Sequence, residues 1–438
     1  MILAHGLGGS TDLPIPVTYA LIGGAWALAA SFVLLLFAWR RPRLDPTRVV
    51  VALPRTTVVA DSAIVRGLIG TLSVLLAGTV AAASVWGPQD SSNALLGTFY
   101  VLVWVGIVPA SLLVGPFWRI VSPMRALHRV VCGLLRRPTS AAIVAYRREW
   151  GCVPAVVGLI AFVWLELASP DSGSVAAVRL WCAVYVVVMA VGAAIFGDEW
   201  FSRADPFEVY SDTVSRLSPL TRDAASGLLA LRSPLDGAVS LPVQRGTVAV
   251  LAVLLGSTAF DSIGQIPAWR SLVDESALGS VPTRTLGLIA VICVVGAAFW
   301  SAARATGGVS RSRRSALPGL LTHSLIPIVV GYMTAHYLTY FVEKGQQTII
   351  SLSDPLGNSA NVLGLRDASV SYVLSNHPSV VAGIAVLAVL VGHLVGITLA
   401  HDASLRTLPK EHAATGQLAM MVVMVLYTFG GLFLLFGA

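Results

Sequence analysis

Residues 379–400 read SVVAGIAVLAVLVGHLVGITLA, a run whose one ionisable side chain is His393. As an α-helix rising about 1.5 Å per residue, such a run spans about 30 Å, the hydrocarbon thickness of a bilayer. Nine further stretches share its character: 16–38, 67–86, 97–116, 151–168, 175–196, 245–263, 284–304, 318–342 and 416–436. Of the 438 residues 56% are hydrophobic and 12% charged, about half the charged share of a soluble domain. So much apolar surface has no place in one water-soluble core. Alternating segments of about ten residues, the mark of a membrane β-barrel, are absent. The expected fold is all-α, a polytopic membrane helix bundle with about ten transmembrane helices forming a single integral membrane domain over 1–438.

Arginine placement orients the bundle. The loops 39–66, 117–150, 197–244, 305–317 and 401–415, with Arg245 and Arg304 at their edges, carry nearly all the positive charge. The opposite loops hold only Arg270, Arg284, Lys344 and Arg366, and Arg179 lies inside the fifth span. Such asymmetry places the arginine-rich loops in the cytoplasm and the N-terminus outside. Residues 1–15 are then an external segment. Residues 197–244 form a cytoplasmic loop with short interfacial helices, in which 198–208 is solvated and anchored by Trp200 and Phe207. Residues 343–378 form an external loop carrying the turn Asp354-Pro355-Leu356-Gly357-Asn358. The net charge of +7 is divided among loops with no aromatic interleaving, so nucleic acid is not an expected partner. The four cysteines form no C-x-x-C and read as small buried hydrophobes. No G-x-S-x-G, H-E-x-x-H, Walker A or dinucleotide fingerprint is present, so any chemistry is assembled from different membrane helices.

Ionisable groups within spans are expensive and mark candidate sites. Toward the outer side lie His336, Glu166 and Asp261, with Tyr340 and Glu343 four and seven positions beyond His336 on one helix face. These five are the candidate catalytic residues, with His5, Asp12, Asp354 and His377 in the external segments above them. Imidazole and carboxylate together suit an acid–base pair or a divalent metal, zinc or copper, held by His5, His336 and Asp261. The plainer reading places Glu166 and Asp261 in the headgroup region, with Arg179 neutralising Glu166. Toward the inner side, His323 and His393 fall at similar depth on antiparallel spans. They suit axial haem ligation or a proton relay, or, as structural groups, hydrogen bonds to neighbouring helices. Gly392 and Gly396 read as a close helix contact. Residues 1–15 lack the charged start and apolar stretch of a signal peptide; if a longer precursor were cut after Ala4, His5 would become a terminal copper ligand.

HGLGGSTDLPIP at 5–16, DPFEVY at 205–210, AFDS at 259–262, AHY at 335–337, SDPLG at 353–357 and GHLVGITLAHD at 392–402 together resemble one family. It is the group of polytopic bacterial membrane proteins known as fenitrothion hydrolases. The resemblance runs from His5 to Asp402 and implies a hydrolase of organophosphorus triesters in the bacterial cytoplasmic membrane. It carries no assigned catalytic roles. The leading expectation is a membrane-embedded hydrolase, metal-assisted or not, acting on a small lipophilic phosphotriester or similar ester at the extracytoplasmic side. The alternatives are a copper- or haem-binding membrane component, a small-solute transporter, or a structural subunit.

Overall fold

Backbone N–H and C=O groups in hydrocarbon have no water to bond, so a chain this apolar satisfies them within helices. The computed structural model, which describes Leu13 and residues 16–305, 309–412 and 415–437, is predominantly helical. Seven helices are long and apolar enough to cross a membrane: Val17–Ala38, Ala63–Trp86, Val175–Phe196, Ser280–Arg304, Arg311–Ser353, Pro378–Thr407 and Thr415–Phe436. Two bent pairs raise the number to nine, Ala94–Val105 with Ile107–Val114 (44°) and Thr247–Ile263 with Pro267–Asp274 (87°). Val153–Leu167 is apolar but has only 15 residues. All ten expected stretches are therefore helical, while the number of straight spans is smaller than ten.

One helix is the axis of the bundle. In Arg311–Ser353, 78% of the most apolar window is buried, against 22–44% in the other six. Its closest partner is Pro378–Thr407, and glycines make the approach. A Cβ added at Gly331 would lie 2.4 Å from the Ala388 carbonyl oxygen, one at Gly392 2.5 Å from that of Pro327, and one at Gly396 2.8 Å from that of Ser324. The two backbones thus touch directly, as small-residue interfaces in lipid do. This register also fixes depth. Gly392 is level with Pro327, whereas His323 lies against the Leu399 carbonyl, so His323 and His393 are offset by about six residues, or about 9 Å. The similar depth expected of this pair is not observed.

Other differences have local causes. The axial helix does not end near 342 but runs to Ser353, because polarity ends the lipid-facing stretch and not the helix: Thr348 bonds the Lys344 carbonyl and Gln346 that of Val342. The loop expected to be external accordingly starts at Asp354. Residues 94–114 bend where a π-helix, Thr98–Val105, interrupts the α-helical ladder. Residues 198–208 are not the solvated stretch expected, for the chain buries itself from Ala204 on: every residue of the Pro206–Val214 helix except Asp212 is buried, including Phe207 and Glu208. The same segment supplies Leu220–Arg222 and Leu229–Leu231, which join Val51–Ala52 in a small antiparallel sheet.

Gly392→Ala is expected to cost about 1–3 kcal/mol through overpacking against Pro327. Gly383→Ala meets nothing within 4 Å and is expected to be neutral or slightly stabilising. Thermal unfolding of the two variants in detergent checks the contrast; equal midpoints would contradict the backbone contact.

Candidate functional site

The Thr247–Ile263 helix is buried along nearly its whole length, and its last turn carries Asp261 and Ser262 just before the chain turns at Gly264. A carboxylate at a helix C-terminus faces the negative end of the dipole, so it needs donors from elsewhere. The axial helix brings them. His336 Nε2 and the Tyr337 hydroxyl both lie 2.9 Å from Asp261 Oδ2. On the other side of the imidazole, Nδ1 lies 3.3 Å from Ser262 Oγ, which is also 3.3 Å from the Tyr332 hydroxyl. The Tyr332 ring stacks on His336 at 6.2 Å, and Tyr337 packs edge-on at 4.5 Å. Ser262 is fully buried, and His336 and Asp261 are nearly so.

The hydrogen-bond network assigns the protons. Asp261 accepts, so a neutral His336 carries its proton on Nε2. Nδ1 then presents a lone pair to the Ser262 hydroxyl. Two adjacent residues of one helix thus hold both nitrogens of a ring on another, leaving hydroxyl, imidazole and carboxylate connected in series.

Glu166, in the last turn of Val153–Leu167, joins this group electrostatically. Its charge and that of Asp261 act on each other, and both reach Tyr337 and Tyr340. Tyr100 of the π-helix and Tyr210 of the Pro206–Val214 helix lie in the field of Glu166 as well. Glu166 is half-buried as a residue, but its Oε2 is enclosed and has no hydrogen-bond partner among the described residues. Arg179 does not neutralise it. That guanidinium donates to the Ser84 carbonyl at 2.5 Å, and no ion pair joins it to Glu166 among the described residues.

The remaining candidates lie elsewhere. Tyr340 is on the His336 face, with its ring 6.4 Å from that of Tyr337. Glu343 accepts from the Ser375 amide at 2.9 Å and the Ser375 hydroxyl at 2.7 Å, which ties down the loop after Ser353. Asp354 caps its own turn through Asn358 and Ser359, and His377 bonds the Val373 carbonyl. His393 Nδ1 bonds the Val389 carbonyl one turn back. His5 and Asp12 lie outside the described residues. Among the described residues no three His, Cys, Asp or Glu side chains come together as a metal-ligand set. Sequence reasoning missed Ser262, Tyr332 and Tyr337. Two of them stand in the AFDS and AHY stretches, but a neutral hydroxyl in an apolar span does not stand out as a charge does.

Two further polar centres fasten the arginine-rich ends of the helices. Asp402 accepts from Trp39 Nε1, the Arg43 amide and Arg406, while His401 bridges Gln417 and the Trp39 carbonyl. Arg125 grips Glu208 with two bonds of 2.5 and 2.6 Å. Beside them Asp205 caps the Pro206–Val214 helix and accepts from Trp118 Nε1 and the Tyr185 hydroxyl. Burial, helped by the Glu208 charge and opposed by those donors, pushes the Asp205 carboxyl up to about 7. In comparisons with known proteins, no family model matches the chain, and no curated protein or solved structure matches it either.

Between the ordinary carboxyl value and about pH 7 the folded state holds a proton on Asp205 that the unfolded chain has released. Its contribution to stability is therefore fully present below about pH 4 and lost as pH rises through about 7. Midpoints of thermal unfolding measured across that window are expected to fall for the native chain and to vary less for Asp205→Asn. An identical slope in the variant would contradict the assignment.

Proposed function

We propose that this protein is a membrane-embedded hydrolase of a lipophilic ester, a phosphotriester or a similar compound, with Ser262, His336 and Asp261 as its catalytic group. The reading is carried by one observation: a hydroxyl, both nitrogens of an imidazole and a carboxylate are connected in series at 3.3 and 2.9 Å. This is the connectivity of a Ser-His-Asp triad, with the two ring nitrogens exchanged, and such triads are recognised by geometry and role rather than by sequence order.

In the proposed reaction His336 Nδ1 takes the proton of Ser262 as Oγ attacks the phosphorus or carbonyl carbon. Asp261 holds Nε2–H and stabilises the imidazolium, and Tyr337 shares the carboxylate charge. The proton on Nδ1 then passes to the departing aryloxide or alkoxide, leaving the substrate residue on Ser262. Water attacks that ester with His336 again as base, and Oγ recovers its proton. The resemblance to fenitrothion hydrolases supports the same reaction class. On this reading the membrane is the bacterial cytoplasmic membrane, and the arginine distribution supports a site toward its extracytoplasmic side, because Asp261 ends a helix that starts beside Arg245. A lipophilic substrate would reach it from the bilayer.

Release of nitrophenol from an aryl phosphorothioate is expected to fall about 10²–10⁴-fold in His336→Gln, the range for loss of a general base. Ser262→Ala is expected to abolish it. An alkyl fluorophosphonate is expected to label Ser262, read by peptide mass mapping, and to label it slowly in His336→Gln. Full-rate hydrolysis by Ser262→Ala would overturn the proposal.

A further inference from the structure

At one arginine-rich end of the bundle two cations stand without an acid. Arg66 is near the start of the Ala63–Trp86 helix, and Arg129 is in the Pro123–Leu134 helix that packs against it. Gly70 and Ala126 make the contact: a Cβ added at Gly70 would lie 3.4 Å from that of Ala126 and 3.8 Å from Arg129 Nη2. Arg66 is one turn from Gly70 on the same helix face, so it looks toward the same groove. Arg129 is held from behind, its Nε donating to the Arg125 carbonyl at 3.3 Å. Both residues are exposed, and neither guanidinium joins an ion pair among the described residues. The acids at this end are engaged elsewhere, Glu208 by two nitrogens of Arg125 and Asp61 by two of Arg222. Partial burial, and then the charges of Arg125 and Arg66, push the Arg129 guanidinium below its usual range.

The same short helix leaves an apolar face uncovered. Leu127, Val130, Val131 and Leu134 recur at the three- and four-residue spacing of one helix face, and all four are exposed, Leu134 to 79%. The inward side is covered: Met124 packs with Met189, Ala193 and Phe201, and Cys132 is buried too. In water such a stripe forgoes the free energy of burial, whereas acyl chains cover it. Cations beside an apolar stripe, at the end of a span, match a molecule that is anionic at one end and hydrocarbon at the other. A soluble anion would use the arginines and leave the stripe bare.

We propose that Arg66 and Arg129 bind the headgroup phosphate of an anionic phospholipid whose acyl chains lie along the stripe at 127–134. Each guanidinium offers parallel N–H donors that fit two phosphate oxygens at once. With the arginine-rich loops in the cytoplasm, the lipid belongs to the leaflet whose anionic headgroups attract such basic segments. The site shares no residue with the Ser262 group and does not depend on the hydrolase reading.

In native mass spectrometry of the full-length protein in detergent, phosphatidylglycerol is expected to be retained, and phosphatidylcholine with the same chains much less. Arg66→Gln/Arg129→Gln is expected to weaken the phosphatidylglycerol affinity about 30-fold, the loss for two arginines at an anionic surface. Arg66→Lys/Arg129→Lys is expected to keep most of it. Val130→Ser/Leu134→Ser is expected to weaken it as well. Arg311→Gln/Arg313→Gln, which removes the same charge from another exposed stretch, is expected to bind like the native chain. Without lipid, Arg66→Gln/Arg129→Gln is expected to unfold at the native temperature, since neither guanidinium holds an ion pair. Equal retention of the two lipids, native affinity in Arg66→Gln/Arg129→Gln, or an equal loss in Arg311→Gln/Arg313→Gln would overturn the proposal. Displacement of the lipid by inorganic phosphate at matched concentration would show a soluble-anion site instead and overturn it too. Native affinity in Val130→Ser/Leu134→Ser would overturn the place given to the acyl chains.

Discussion

A carboxylate in a low-dielectric interior is costly unless donors converge on it, and Asp261 meets this condition by drawing on a second helix. Its own helix offers it the wrong end of a dipole. His336 and Tyr337 supply the missing donors from consecutive positions of the axial helix, and the imidazole so held presents its second nitrogen to Ser262. The polar core of the bundle is therefore a consequence of where one acid was placed. The surrounding aromatic rings, Tyr332 on one face and Tyr337 at the edge, keep the imidazole from rotating away.

The same logic repeats at the arginine-rich ends, with a structural outcome. Asp402 gathers Trp39, the Arg43 amide and Arg406, and Glu208 takes both arms of Arg125. Asp402 thereby joins the segment after the Val17–Ala38 helix to the Pro378–Thr407 helix, and Glu208 joins Arg125 to the buried Pro206–Val214 helix. Glu343 does likewise for the loop beyond Ser353. What separates Glu166 from all of them is an oxygen that no donor reaches among the described residues. Saturated acids fasten helices.

The helical membrane class was legible because lipid permits little else: twenty apolar residues in a row have one solution. The pairing of His336 with Asp261 was half legible, since ionisable groups at similar depth stand out against an apolar background. The rest was not. Hydropathy reports where lipid ends, so it placed the end of the axial helix near 342, whereas hydrogen bonds continue to Ser353. Pro206–Val214 reads as polar and hence as surface, yet Asp205 and Glu208 are buried because Trp118, Tyr185 and Arg125 come to them. Ser262 and Tyr337 carry no charge, so only the packed arrangement reveals them. The levels of His323 and His393 depend on how Gly392 and Gly396 seat on the axial helix, a matter of register that span boundaries do not encode.

Ser262 and Asp261 are neighbours on one rod, and both grasp a ring mounted on another. An axial slip of one residue, about 1.5 Å, exceeds the tolerance of both hydrogen bonds together. The imidazole is in effect a vernier between two sliding scales: hydroxyl and carboxylate engage it in the same alignment or lose it in the same step. A slip of one residue along the axial helix would carry the ring away from both partners together.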